Sequence, residues 1–187
     1  MLIEVASRRR KPESIGAAFP GRVVLDVTSK GPEPWVRFSP FYPHGGIPVP
    51  LSPGVEGASV EGIWQALKVF EHTDADPTKL TVTTMAGLKR TVRRFGAVRG
   101  HRAGLPSNDL QSADLLGYEA ARRRIYLPAY RWMLENRVPH LVAELRTLAE
   151  AQGVVLLDYT TNGDVADLAT PLSHAALVAR FVSHDWP

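Results

Sequence analysis

Glu61, Gln65 and Lys68 stand at i, i+4 and i+7, the spacing that puts side chains on one face of an α-helix. An acid, an amide and an amine so placed have two readings. They form a narrow solvent stripe, extended by His72, or they point together into a cavity. In the second case the chemistry is that of an activated lysine. A lysine attacks as a neutral amine only where burial or nearby positive charge lowers its pKa. A carboxyl group nearby can donate a proton to a leaving group and later activate water. Gln65, between the two, can hydrogen-bond a sugar hydroxyl or a base edge.

The stretch that must position these residues is Ser59–Glu71, read here as one helix. Ser59 is its N-cap, Gly62 its only weak helix former, and no proline follows until Pro77. Val60, Ile63, Trp64, Ala66, Leu67, Val69 and Phe70 make most of its circumference apolar, the pattern of a buried helix. Glu61 and Lys68 would lie roughly 10 Å apart along its axis, close enough to converge on one ligand without touching. Trp64 neighbours the polar face and could stack on a base, although a tryptophan so placed is more often core.

Two segments carry a resemblance. Ser59-Val60-Glu61, Gln65-Ala66 and Lys68 resemble the signature helix of the NADAR (YbiA-like) family. Upstream, Phe38-Ser39-Pro40-Phe41-Tyr42-Pro43 is similar to that family's Phe/Leu-Ser-Asn-Phe-Tyr-Pro segment, at a similar distance before the helix. Members of the family are N-glycosidases that act on ADP-ribosylated guanine or on early riboflavin-pathway intermediates, through a lysine Schiff base. The resemblance implies a mainly helical α+β fold with a small sheet, a single compact domain over residues 1–187, and a hydrolase that needs neither cofactor nor metal. Lys68 would be the nucleophile and Glu61 the acid/base or charge stabiliser. Phe38, Ser39, Phe41, Tyr42, Trp64 and Gln65 would line the substrate site. The implied ligand is a nucleotide or an ADP-ribose derivative, its phosphates met by Arg102 or Arg122.

Further along, Leu156-Leu157, Thr160 or Thr161, and Val165-Ala166-Asp167 resemble the family's Leu-Leu-x-Thr and Leu-Val-Glu stretch, with Asp167 in the place of its Glu, where it would be a secondary catalytic carboxylate. Tyr118 and Arg122 fall where the family carries Trp and a basic residue. The chain also departs from the pattern. The closing Asp-x-x-Trp-Gly is absent, and Pro171-Leu172-Ser173-His174 occupies its region, with Ser173 and His174 as the replacements. Pro40 replaces the family asparagine. As a whole the chain also resembles an uncharacterised bacterial and phage domain of this length, which fixes no function.

Composition sets the outer bounds. A chain of 187 residues, 44% hydrophobic and 22% charged, suits one soluble domain with a real core. No apolar run approaches the roughly 20 residues of a membrane span. The N-terminus lacks signal-peptide order, its basic run following its apolar residues, so a cytoplasmic location is expected. With no cysteine there is neither a disulfide framework nor a thiolate metal site. The six histidines show no metal-ligand spacing, and phosphate-loop, dinucleotide and zinc-protease motifs are absent. Ser173 and His174 are adjacent, which is not how a nucleophile and its base are presented.

Net charge is +3, clustered at Arg8-Arg9-Arg10-Lys11, at Lys89, Arg90, Arg93 and Arg94, at Arg99 and Arg102, and at Arg122-Arg123-Arg124. Each cluster is a solvated face or the footprint of an anionic partner, nucleic acid included. A non-catalytic nucleic-acid module and a ligand sensor that has lost the chemistry therefore stand beside the glycosidase. Oligomeric state is not legible.

The remaining elements follow from periodicity and punctuation. Strands are expected at 2–5, 21–27, 35–38, 79–83 and 154–157, and helices at 12–19, 84–95, 112–125, 139–152 and 172–182, with a helical segment resuming after Pro128 to Glu135. Residues 39–53, with five prolines and two glycines, cannot form a long element. The same holds for the 96–111 loop.

Overall fold

In a computed structural model of the protein, residues 2–105 and 115–187 are described. The end of the expected 96–111 loop and the start of the expected 112–125 helix lie outside them. The fold is α+β, mainly helical with small sheets, as the sequence leads one to expect. The chain divides into two compact units, one formed by Met1–Ser39 with Leu134–Pro187, the other by Pro40–Met133.

The first unit is built on a parallel sheet of β1 (Ile3–Ser7), β2 (Val23–Asp26) and β7 (Val154–Asp158), in the order β1-β7-β2. Central β7 reads Val-Val-Leu-Leu-Asp, apolar over its first four residues, because a central parallel strand is covered on both faces. Helix α1 (Pro12–Ala18) opens on a proline and sets Ile15 against Ala6 and Val155. Helix α6 (Pro139–Ala151) buries Leu141, Val142, Leu145 and Ala149, four positions on one helical stripe. The last helix, α7 (His174–Val182), is capped by Ser173, whose Oγ accepts the Ala176 amide at 3.2 Å. Residues 35–38, expected as a strand, form a 3-10 turn instead, with Trp35 and Phe38 stacked at 6.1 Å.

The second unit is organised around helix α2 (Val60–Leu67), every residue of which is buried. Ser59 caps it as expected, its Oγ accepting the Gly62 amide at 3.0 Å. Gly62 has a packing reason. A Cβ there would stand 2.7 Å from the Lys79 carbonyl oxygen, so glycine lets the 77–81 turn lie directly on the helix. Two ribbons flank the helix. One pairs β3 (Ile47–Pro48) with β4 (Glu56–Gly57), and the other pairs β5 (Lys68–Phe70) with β6 (Val98–His101).

The central helix is shorter than its periodicity predicts. It stops at Leu67, and Lys68 turns extended (ψ 133°) to begin β5. The carbonyls of its last turn find donors outside the helix. Ala66 O accepts the Asp76 amide at 2.7 Å and Leu67 O the Arg102 amide at 2.8 Å. Val69 and Phe70 are apolar in either conformation, so pattern alone cannot locate this switch.

Residues 79–83 are not a strand, the chain forming a 3-10 turn over Pro77–Thr81. The expected 84–95 helix shrinks to α3 (Val92–Phe95), still ended by Gly96 at φ +79°. After α4 (Tyr118–Ala121) comes a π turn over Arg122–Tyr126, then α5 (Leu127–Asn136). Pro128 has no amide to offer the Arg124 carbonyl, so the helix continues through a widened turn rather than breaking. Among the described residues, no helix is long and apolar enough to cross a membrane.

Candidate functional site

In the second unit, Glu61 and Gln65 are buried and Lys68 is partly buried, so the three do not form a solvent stripe. Gln65 Nε2 donates to Glu61 Oε1 at 2.9 Å, and Gln65 Oε1 accepts the Arg90 amide at 3.0 Å. Gln65 therefore ties the 84–91 segment to the helix and orients Glu61. That internal role replaces the expected contact with substrate.

Arg90, read from sequence as part of a solvated face, is only 6% exposed. Its guanidinium donates to the carbonyls of Gln65 (3.2 Å), Lys68 (2.6 Å) and Asp74 (2.6 Å), and stands 5.0 Å from the centre of the Phe70 ring. It completes the end of α2, where a cation is favoured by the negative pole of the helix. Nothing local in the sequence separates it from its exposed neighbours Lys89, Arg93 and Arg94.

The Lys68 amine lies 5.9 Å from the Trp64 ring centre and 5.7 Å from that of Phe70. Among the described residues it has no hydrogen-bond or ion-pair partner. Burial pushes its pKa below the ordinary lysine value; Glu61's charge acts the other way, and the positive charges of Arg90 and Lys89 push it down further.

His101 is the ladder partner of Lys68 and is 1% exposed, its ring packed on Trp64 at 3.9 Å between centres. Among the described residues, neither ring nitrogen has a hydrogen-bond partner. Burial, and then the charge of Lys68, push its pKa down to about 3, so it is neutral at physiological pH. Tyr126 meets Trp64 edge-on at 5.7 Å and Tyr118 lies 6.1 Å away. Trp64 is thus core, walled in by rings, as the plainer reading of a tryptophan has it.

Other expected contacts are otherwise employed. Arg102 grips Asp74 through two bonds, at 3.0 and 2.6 Å. Arg122 is 2% exposed and donates to the Tyr118 hydroxyl at 3.2 Å. Phe41 is half-buried beneath the Lys89 amine, 5.4 Å from its ring centre, and Tyr42 packs on His44 at 4.7 Å.

Phe38, Ser39, Asp167, Ser173 and His174 belong to the first unit. Phe38 and Ser39 are wholly buried there. Asp167 is exposed and accepts the Ala169 amide at 2.9 Å, fixing its own loop. Ser173 and His174, expected to replace substrate contacts, close on Asp158 instead. Ser173 Oγ donates to Asp158 Oδ2 at 2.8 Å and His174 Nδ1 reaches the same oxygen at 2.9 Å. His174 Nε2 donates to the Val27 carbonyl at 2.9 Å. Two donating nitrogens describe the imidazolium. Burial opposes its charge, but the Asp158 carboxylate and these hydrogen bonds hold its pKa above the ordinary value. Burial likewise works against the Asp158 charge, yet His174, Ser173 and the Tyr159 amide hold that carboxyl below its ordinary value. No group of three or more His, Cys, Asp or Glu among the described residues is arranged to hold a metal ion.

Over residues 7–178 the chain matches DUF6939, a family of unknown function, and it belongs to that family. No curated protein and no solved structure matches it.

Proposed function

We propose that this DUF6939 member is an N-glycoside hydrolase, with Lys68 as nucleophile and Glu61 as acid and base. The observation that carries the reading is the Lys68 amine. It is partly buried between two aromatic rings, has no fixed partner among the described residues, and has a lowered pKa. The resemblance of the 38–43 and 59–68 segments to NADAR N-glycosidases supports it. The substrate is an ADP-ribosylated base or a phosphorylated nucleotide-like molecule.

In this reading the neutral Lys68 nitrogen forms a bond to the anomeric carbon as the carbon–base bond breaks. Protonated Glu61 supplies the proton with which the base leaves. The ribose ring opens, its oxygen taking a proton, and leaves a protonated imine on Lys68. Water, deprotonated by the Glu61 carboxylate, adds to that carbon. The amine is expelled and the sugar departs as its hemiacetal. No cofactor is consumed. Release of ADP-ribose from an ADP-ribosylated guanine nucleotide or DNA, with the guanine left unmodified in place and both followed by chromatography, tests the reading. Wild type should release ADP-ribose, and Lys68→Arg should release none, since arginine keeps the charge but cannot form the imine.

A further inference from the structure

Beside this site the second unit carries a cavity of about 440 Å³ whose wall is strongly cationic. Lys79, Lys89, Arg90 and Arg94 line it against a single carboxylate, Asp76, with Phe95 as its aromatic side. Asp76 accepts the Thr78 amide and hydroxyl through Oδ1 and keeps its negative charge, which leaves four cations facing one anion. Arg90 is a fixed positive charge, held by its carbonyl bonds. Lys79 spends one donor on the Gly87 carbonyl at 2.9 Å and keeps two. Lys89 and Arg94 face only rings, Phe41 at 5.4 Å and Phe95 at 5.0 Å, and have no acidic partner among the described residues.

We infer that this cavity binds the phosphate or diphosphate arm of a nucleotide-type ligand, with Lys89 and Arg94 as its mobile donors and Arg90 as the standing charge. Fixed and mobile cations around a concave space suit a compact polyanion. The cavity also borders the Lys68 neighbourhood, because Arg90 lines it while binding the Lys68 carbonyl. The inference extends the glycosidase reading by saying where the substrate's phosphates go, in place of Arg102 or Arg122. The anion site itself can be tested without any turnover.

The test is calorimetric titration of pyrophosphate and of ADP-ribose into wild type, the Lys89→Ala/Arg94→Ala double variant, and an Arg124→Ala control. Melting temperatures establish that each is folded, and Lys89→Arg/Arg94→Lys serves as the charge-conserving rescue. Wild type should bind both probes, more weakly as salt rises. The double variant should lose at least about tenfold in affinity, as two charge-assisted contacts imply. The rescue variant should recover most of it, and the control should match wild type. That pattern supports the site whether or not a covalent adduct forms at Lys68. Equal affinity in wild type and double variant, or an equal loss in the control, would overturn it. So would a single-stranded DNA oligonucleotide that binds through Lys89 and Arg94 far more tightly than pyrophosphate, since the surface would then track a nucleic-acid backbone.

Discussion

Both units bury charge, and they treat it differently. In the first, Asp158, Ser173 and His174 form a closed set: the carboxylate accepts from His174, Ser173 and backbone amides, and the second nitrogen of His174 is spent on Val27. In the second, Lys68 and His101 are set among rings, and neither the amine nor the imidazole has a hydrogen-bond partner among the described residues. A buried polar group without a partner costs stability, so a fold keeps few of them. The satisfied set reads as a clasp and the unsatisfied one as a site. The serine–histidine–aspartate trio is the more familiar in name, yet its Ser173 donates to the carboxylate rather than to the imidazole. Partners, not residue types, separate the two.

The comparison breaks first on rates. Glu61→Gln keeps shape and the hydrogen bond with Gln65 but removes proton transfer, a step worth about 10²–10⁴-fold. Turnover should fall by that order while the melting temperature stays near wild type. His174→Ala should do the opposite. Removing one partner of a buried ion pair costs about 3–5 kcal/mol. Denaturant unfolding should show that loss, with ADP-ribose release per folded molecule unchanged. An activity loss without destabilisation in His174→Ala would place that cluster among the functional groups.

The smallest effect is a difference in sign. His174 has a raised folded pKa, so its contribution is complete below the ordinary histidine value of 6.5 and is lost as pH rises through the folded value. His101 has a lowered one, about 3, so the unfolded chain binds the extra proton between 3 and 6.5, and stability falls as pH falls through that window. Asp158, also lowered, contributes above 3.8 and is lost only as pH drops below that. Stability should therefore peak near pH 6.5. His101→Phe should flatten the acid limb and His174→Ala the alkaline one, as urea midpoints across pH would record. Equal flattening of both limbs by one substitution would dissolve the contrast.

Much of the fold was legible because it is local. Prolines at 12 and 139 open two helices, Ser59 and Ser173 cap two others, and residues 154–157 are apolar throughout. Of the three residues read on one helical face, Glu61 and Gln65 share that face, while Lys68 falls just past the end of the helix. What pattern could not convey is where α2 ends, because the donors that satisfy its last carbonyls come from Asp76, Arg90 and Arg102. For the same reason Arg90 was invisible. Its burial depends on a segment folding back against the helix, while its neighbours in sequence stay exposed. His101 meets Lys68 only through the β5–β6 pairing.

The most direct measurement is borohydride reduction of the wild-type protein during incubation with ADP-ribosylated guanine nucleotide or DNA, read by intact mass and peptide mapping. A mass gain of one reduced ADP-ribosyl group, mapped to Lys68 and absent in a folded Lys68→Arg variant, is the expected result. ADP-ribose release that persists in Lys68→Arg, with no adduct in wild type, would contradict the lysine nucleophile. The remaining chemistry would then be an oxocarbenium route with Glu61 activating water.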